Sequence, residues 1–324
     1  MPATPPELDD PWERRGLPLD GVLERERFPP LLTVLLVPVL ALLLTNFVIF
    51  PLFAAPLLLA GGLEVTQPQE LIRVLLNERI DLFLMGNSVA QVLGLALPAM
   101  LAARWHSSRW TGFLRLRRCD LRLLGLALLG WAAFYPVVTW LGAINQTIPL
   151  PDALEQFERQ QMQLIEQVLM SDRGVVFDLL MLAITPALCE ELLFRGYVQR
   201  QGERSLGVVG GILLAGIGFG FYHFRFSQVL PLAALGCYLA YLTWRTGSLW
   251  PAVLVHLANN AFAVAASTYA QSRSGVTTEE IEQMQLPLVA VAASAVVFGG
   301  LALALHRLAP RLRKRSSAST QARI

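Results

Sequence analysis

Eight stretches of this chain stay apolar for about twenty residues or nearly so, and that repetition constrains the fold more than any other feature. They run from about Leu31 to Leu59, Ile80 to Ala103, Leu121 to Ile144, Val175 to Val198, Leu206 to Phe224, Val229 to Thr243, Leu249 to Tyr269 and Leu286 to His306. Hydrocarbon offers no partner to a backbone N–H or C=O, so consecutive segments of this kind fold as helices. The expectation is an all-α polytopic membrane protein with about eight transmembrane helices. Composition agrees: 54% of the 324 residues are hydrophobic and 15% charged, against about 25% charged in soluble domains.

The flanks divide the chain into a proline-rich, disordered N-tail (1–28), a membrane domain (29–308) and a basic C-tail (309–324). No cleavable signal is read at the start. Most of the 26 basic residues fall in the two tails and the even-numbered loops. Basic loops stay in the cytoplasm, so both termini are expected there, in the plasma (inner) membrane of a bacterium. The net charge of +2 gives no reason to expect a nucleic acid partner. Cys119, Cys189 and Cys237 lie far apart and suggest no disulfide framework. Between the third and fourth spans, Asp152 to Met170 places Leu154, Phe157, Leu164, Ile165 and Val168 near one face. That pattern predicts an amphipathic helix at the membrane surface, on the non-cytoplasmic side.

The polar residues inside the spans are few and concentrated. Glu190 and Glu191 sit side by side in the fourth, followed by Arg195. One ionised carboxylate in the bilayer core costs about 2.5–3.5 kcal/mol on insertion scales. Glu191 and Arg195 are four residues apart and can pair, whereas Glu190 has no cation at that spacing. His223 ends the fifth span, and His256, Asn259 and Asn260 lie in the seventh. The fourth and fifth spans form a hairpin whose midpoint, near Leu206 and Gly207, sets Glu190 and His223 at similar depth. Pro186 frees a backbone carbonyl beside them. A carboxylate can act as base on water, and imidazole and carboxamide N–H groups can stabilise an oxyanion. These are the parts of an amide hydrolase without a covalent nucleophile. There is no GxSxG, no HExxH, and the lone lysine, Lys314, lies in the tail.

The motifs "EELLFR", "FGFYH" and "HLANN" resemble those of the CPBP family of intramembrane proteases, the CAAX prenyl protease or Abi type, whose pattern is EExxxR, FxxxH and HxxxN/D. The motif-bearing core spans 173–271. The resemblance implies helices around an intramembrane catalytic cavity, with Glu190 activating water, His223 assisting, and His256 and Asn260 forming the oxyanion hole. Glu191 and Arg195 support them, with Glu191 as a second candidate base and Phe219 as the motif aromatic. No cofactor is implied. The implied partners are the lipid bilayer and a membrane-associated peptide, with prenylated and leader peptides among the candidates. Two further readings stay open: a zinc protease with Glu190, His223 and His256 as Zn2+ ligands, and a non-catalytic binding or bacteriocin-immunity protein.

Overall fold

The computed structural model describes residues 7–8, 16–60, 79–170, 173–272 and 286–321. Among these residues six helices are long and apolar enough to cross a membrane, by length and composition. They are α1 (Pro30–Pro56), α2 (Ile80–His106), α3 (Leu121–Gln146), α5 (Val175–Tyr222), one over Phe226–Thr246 and one over Leu288–Leu312. In the last two the α-helices proper are α6 (Val229–Thr246) and α8 (Leu288–Gln321). α4 (Asp152–Met170) lies between α3 and α5, and α7 (Trp250–Ser272) between α6 and α8. The chain is an integral membrane protein of helices, and the expected count of eight is not reproduced.

Two physical reasons account for the difference. The fourth and fifth expected spans are one 48-residue helical segment. A straight helix of that length would reach about 72 Å, more than twice a hydrocarbon core. It does not run straight: Gly207 has φ +74 and ψ 175, a conformation glycine adopts without a Cβ clash, and the chain doubles back at the expected midpoint. The seventh expected span exists as α7, but His256, Asn259 and Asn260 lower its apolarity, and it falls outside the six.

The returning arm of α5 crosses α6 backbone to backbone. A Cβ on Gly216 would sit 2.6 Å from the Cys237 nitrogen, and one on Gly236 would sit 2.7 Å from the Gly216 carbonyl oxygen. Small residues at a crossing let membrane helices approach this closely. α1 and α2 meet in the same way, because a Cβ on Gly94 would lie 2.9 Å from the Thr45 backbone.

The N-terminal segment corrects an expectation. Within the stretch taken as a disordered tail, Glu7–Leu8 pairs antiparallel with Leu17–Pro18. Leu17 is fully buried, and Leu19 nearly so. The cause is polar as well as apolar. The Gly21 amide donates to the His106 carbonyl at 3.0 Å. Glu24 accepts from His106 Nδ1 at 2.6 Å and from Arg204 at 2.6 and 2.9 Å. Burial opposes ionisation of Glu24, but the hydrogen bonds and charges of His106 and Arg204 outweigh it and hold its pKa at about 2.

Candidate active site

The helix carrying the paired glutamates is irregular on both sides of them. Leu179–Ile184 and Leu192–Val198 are wound as wide π turns around a short α segment, Thr185–Glu191. Turns of this kind occur frequently at functional sites. Pro186 has no N–H, so the Leu182 carbonyl four residues earlier loses its helical donor. Asn260 Nδ2 supplies one from α7 at 3.3 Å.

Glu191 faces inward. Its Oε1 accepts from Arg195 Nη1 at 2.6 Å and from His256 Nδ1 at 2.8 Å. The side chains of Glu191 and Arg195 are both wholly buried. Arg195 also donates through Nη2 to the Gly236 carbonyl at 3.1 Å, the carbonyl that the glycine crossing of α5 and α6 brings within reach. Its guanidinium lies over the Phe219 ring, 4.3 Å from the centroid. That ring also presents to His223 and His256 at 4.6 and 5.5 Å. Phe219 therefore packs between the three motif helices.

Glu190 is rotated by about 100° from Glu191 and meets the other nitrogen of His256. Its Oε2 stands 3.8 Å from His223 Nε2 and 3.9 Å from His256 Nε2, and it has no hydrogen-bond partner. Both histidines are oriented by their other nitrogen. The Phe219 carbonyl can only accept, so His223 Nδ1 donates to it, at 2.8 Å. An ionised Glu191 likewise accepts from His256 Nδ1. Both Nε2 atoms thus stand near the Glu190 carboxylate. Separations near 3.8 Å exceed a direct hydrogen bond and suit a group bridged between them.

Glu190 and His223 line a cavity of ≈ 470 Å³ whose opposite wall carries polar groups from α1, α2 and α4. Asn46, Asn87, Gln91 and Gln161 contribute four carboxamides to it. Gln91 is 8% exposed, and the Oε1 atoms of Gln91 and Gln161 have no hydrogen-bond partner. The structure thus brings Glu190, Glu191, Arg195, Phe219, His223 and His256 together. Asn260, one helical turn from His256 on α7, donates to the Leu182 carbonyl at 3.3 Å. His256 stands behind Glu190 and is not part of the cavity wall. Asn46, Asn87 and Gln91 are isolated amides in the sequence. The one signal of Gln91 is that it is a glutamine inside an otherwise apolar span.

Among the described residues no group of three or more His, Cys, Asp or Glu side chains is arranged to hold a metal ion. Glu190, His223 and His256, the ligands of the alternative zinc reading, are not such a group in this structure.

Residues 172–262, the stretch that builds this site, match the family described as Rce1-like, type II CAAX prenyl endopeptidase. The match supports a CAAX-type intramembrane endopeptidase in general. No curated protein and no solved structure matches the chain.

Proposed function

Taking the match of residues 172–262 to that family as premise, we propose that this chain is an intramembrane endopeptidase in which Glu190 is the general base. One observation carries the reading: a carboxylate oxygen without a hydrogen-bond partner, 3.8 and 3.9 Å from two histidine nitrogens, on the wall of a cavity inside a membrane bundle. The substrate is a membrane-associated peptide, and the reaction is hydrolysis.

Water held by Glu190 and His223 Nε2 attacks the scissile carbonyl carbon, and Glu190 takes its proton. The new C–O bond leaves a tetrahedral oxyanion. His256, which does not line the cavity, acts on it through Glu190: its Nε2 stands 3.9 Å from Oε2, and Glu191 and Arg195 hold the ring in place. Glu190 then returns the proton to the leaving nitrogen as the C–N bond breaks. Asn260 is assigned a positioning role, through the carbonyl that Pro186 frees. The carboxamide wall suits a peptide main chain, whose N–H and C=O groups both need partners inside a membrane.

Comparison of membrane peptides between cells carrying wild type and Glu190→Gln tests this reading. Fragments present only with wild type identify a substrate. Cleavage of that peptide by the purified chain should persist in a strong chelator. Loss to the chelator with recovery on added Zn2+ would favour the metal reading. A phenotype unchanged in Glu190→Gln would favour the non-catalytic one. Against the same peptide, Gln91→Leu is expected to raise KM about tenfold, the worth of one hydrogen bond to a buried partner, with kcat little changed. An unchanged KM would remove Gln91 from the substrate site.

A further inference from the structure

The two ends of the helix bundle differ in charge, and the cavity lies toward one of them. One end is marked by the Gly207 turn. There Arg115 pairs with Glu203, with Nη1 at 3.1 Å. Arg200 donates to the Phe113 carbonyl at 3.0 Å, and Arg204 holds Glu24. Arg104, Arg109 and Arg117 belong to the same loop region. Arg245, at the end of α6, donates to the His306 carbonyl at 2.9 Å, which brings the basic end of α8 here as well. The opposite end has far fewer arginines: Arg79, Arg159, Arg173 and Arg225 among the described residues.

Every wall of the cavity lies toward that second end. His223 is sixteen residues past Gly207, about 24 Å along the helix. Asn87 and Gln91 are at least fifteen residues before His106, which stands at the arginine-rich end. Asn46 is sixteen residues beyond Pro30. Across the cavity runs α4, which joins the far ends of α3 and α5. Its Phe157 and Gln161 line the cavity, and its Glu158 accepts from the Ser227 amide at 2.9 Å, just past His223. Phe157 is 43% exposed.

Arginine-rich ends stay in the cytoplasm. We propose that the Glu190–His223 cavity opens beneath α4 on the non-cytoplasmic side of the membrane. Its substrates are then peptide segments presented from outside the cytoplasm, such as an exported peptide or the outer flank of a membrane span. The substrate statement rests on the protease reading; the direction of opening does not.

Cysteine labelling in intact cells expressing the full chain tests it. In a background with Cys119, Cys189 and Cys237 replaced by alanine, three single thiols are introduced. Phe157→Cys reports the cavity, Gln160→Cys the exposed face of α4, and Ser108→Cys the arginine-rich end. A membrane-impermeant maleimide should label the two α4 thiols before permeabilisation and Ser108→Cys only afterwards, each by more than fivefold. The reverse pattern overturns the proposal, as does labelling of Ser108→Cys from outside or of neither α4 thiol until the cells are permeabilised. The readout needs no cleavage, and Glu190→Gln should label like wild type. A failure here is therefore distinct from a failure of the protease reading.

Discussion

Glu190→Gln should lower peptide cleavage about 10²–10⁴-fold, the usual worth of a positioned acid–base group, while the protein inserts and unfolds as wild type does. The two halves of this expectation have different origins. The loss of rate follows because a carboxamide has the shape of the carboxylate but no basic oxygen. The retained stability follows from the surroundings of Glu190: neither histidine is within hydrogen-bond distance, and Oε2 has no partner. Neutralising it therefore breaks no strong interaction and leaves no partner charge orphaned. His223→Ala should approach the same loss of rate, because it removes the nitrogen opposite Glu190. The measurement is initial rate against a thermal-unfolding midpoint in detergent. Wild-type rate in Glu190→Gln would show that Glu190 is not the base.

Arg195→Met should do the opposite, lowering stability first and activity only as a consequence. Arg195 and Glu191 form an ion pair at 2.6 Å with both side chains fully buried. Removing one partner of such a pair costs about 3–5 kcal/mol, because the other charge is left buried and unpaired. The loss here includes the bond to the Gly236 carbonyl and the contact over Phe219. Combining Glu191→Leu with Arg195→Met should recover a large part of the stability, since the pair itself leaves Glu191 Oε2 and Arg195 Nε without partners. It should not recover activity, because His256 loses the carboxylate that orients it. Denaturant or thermal unfolding of the single and double variants decides this. A single variant as stable as wild type would mean that Glu191 finds another partner or is neutral.

The two glutamates show how far local sequence reaches. Their different directions follow from helical rotation alone, and so does the pairing of Glu191 with the arginine four residues on. The turn near Gly207 is legible in the stretch Glu203 to Gly207, and it implies a similar depth for Glu190 and His223. Asn260 shows where this stops. Its motif position sets it one turn from His256, and only the fold shows that its amide also reaches the carbonyl that Pro186 leaves open on a different helix. Gln91 was invisible for a related reason: a lone glutamine in an apolar span gives no sign of which neighbour it faces. The packing of the segment around Glu24 is not legible locally, because the groups that hold it, His106 and Arg204, lie far away in sequence.

Sequence alone determined the helical membrane class, the turn near Gly207 and the pairing of Glu191 with Arg195, because helical period and the cost of buried charge act over short stretches of chain. The tertiary structure alone decided that Asn260 serves a carbonyl, that α1, α2 and α4 supply a carboxamide wall, and that the N-terminal segment is bound. Those outcomes depend on which helices cross closely enough for polar atoms to meet, and that is set by packing between segments distant in the chain.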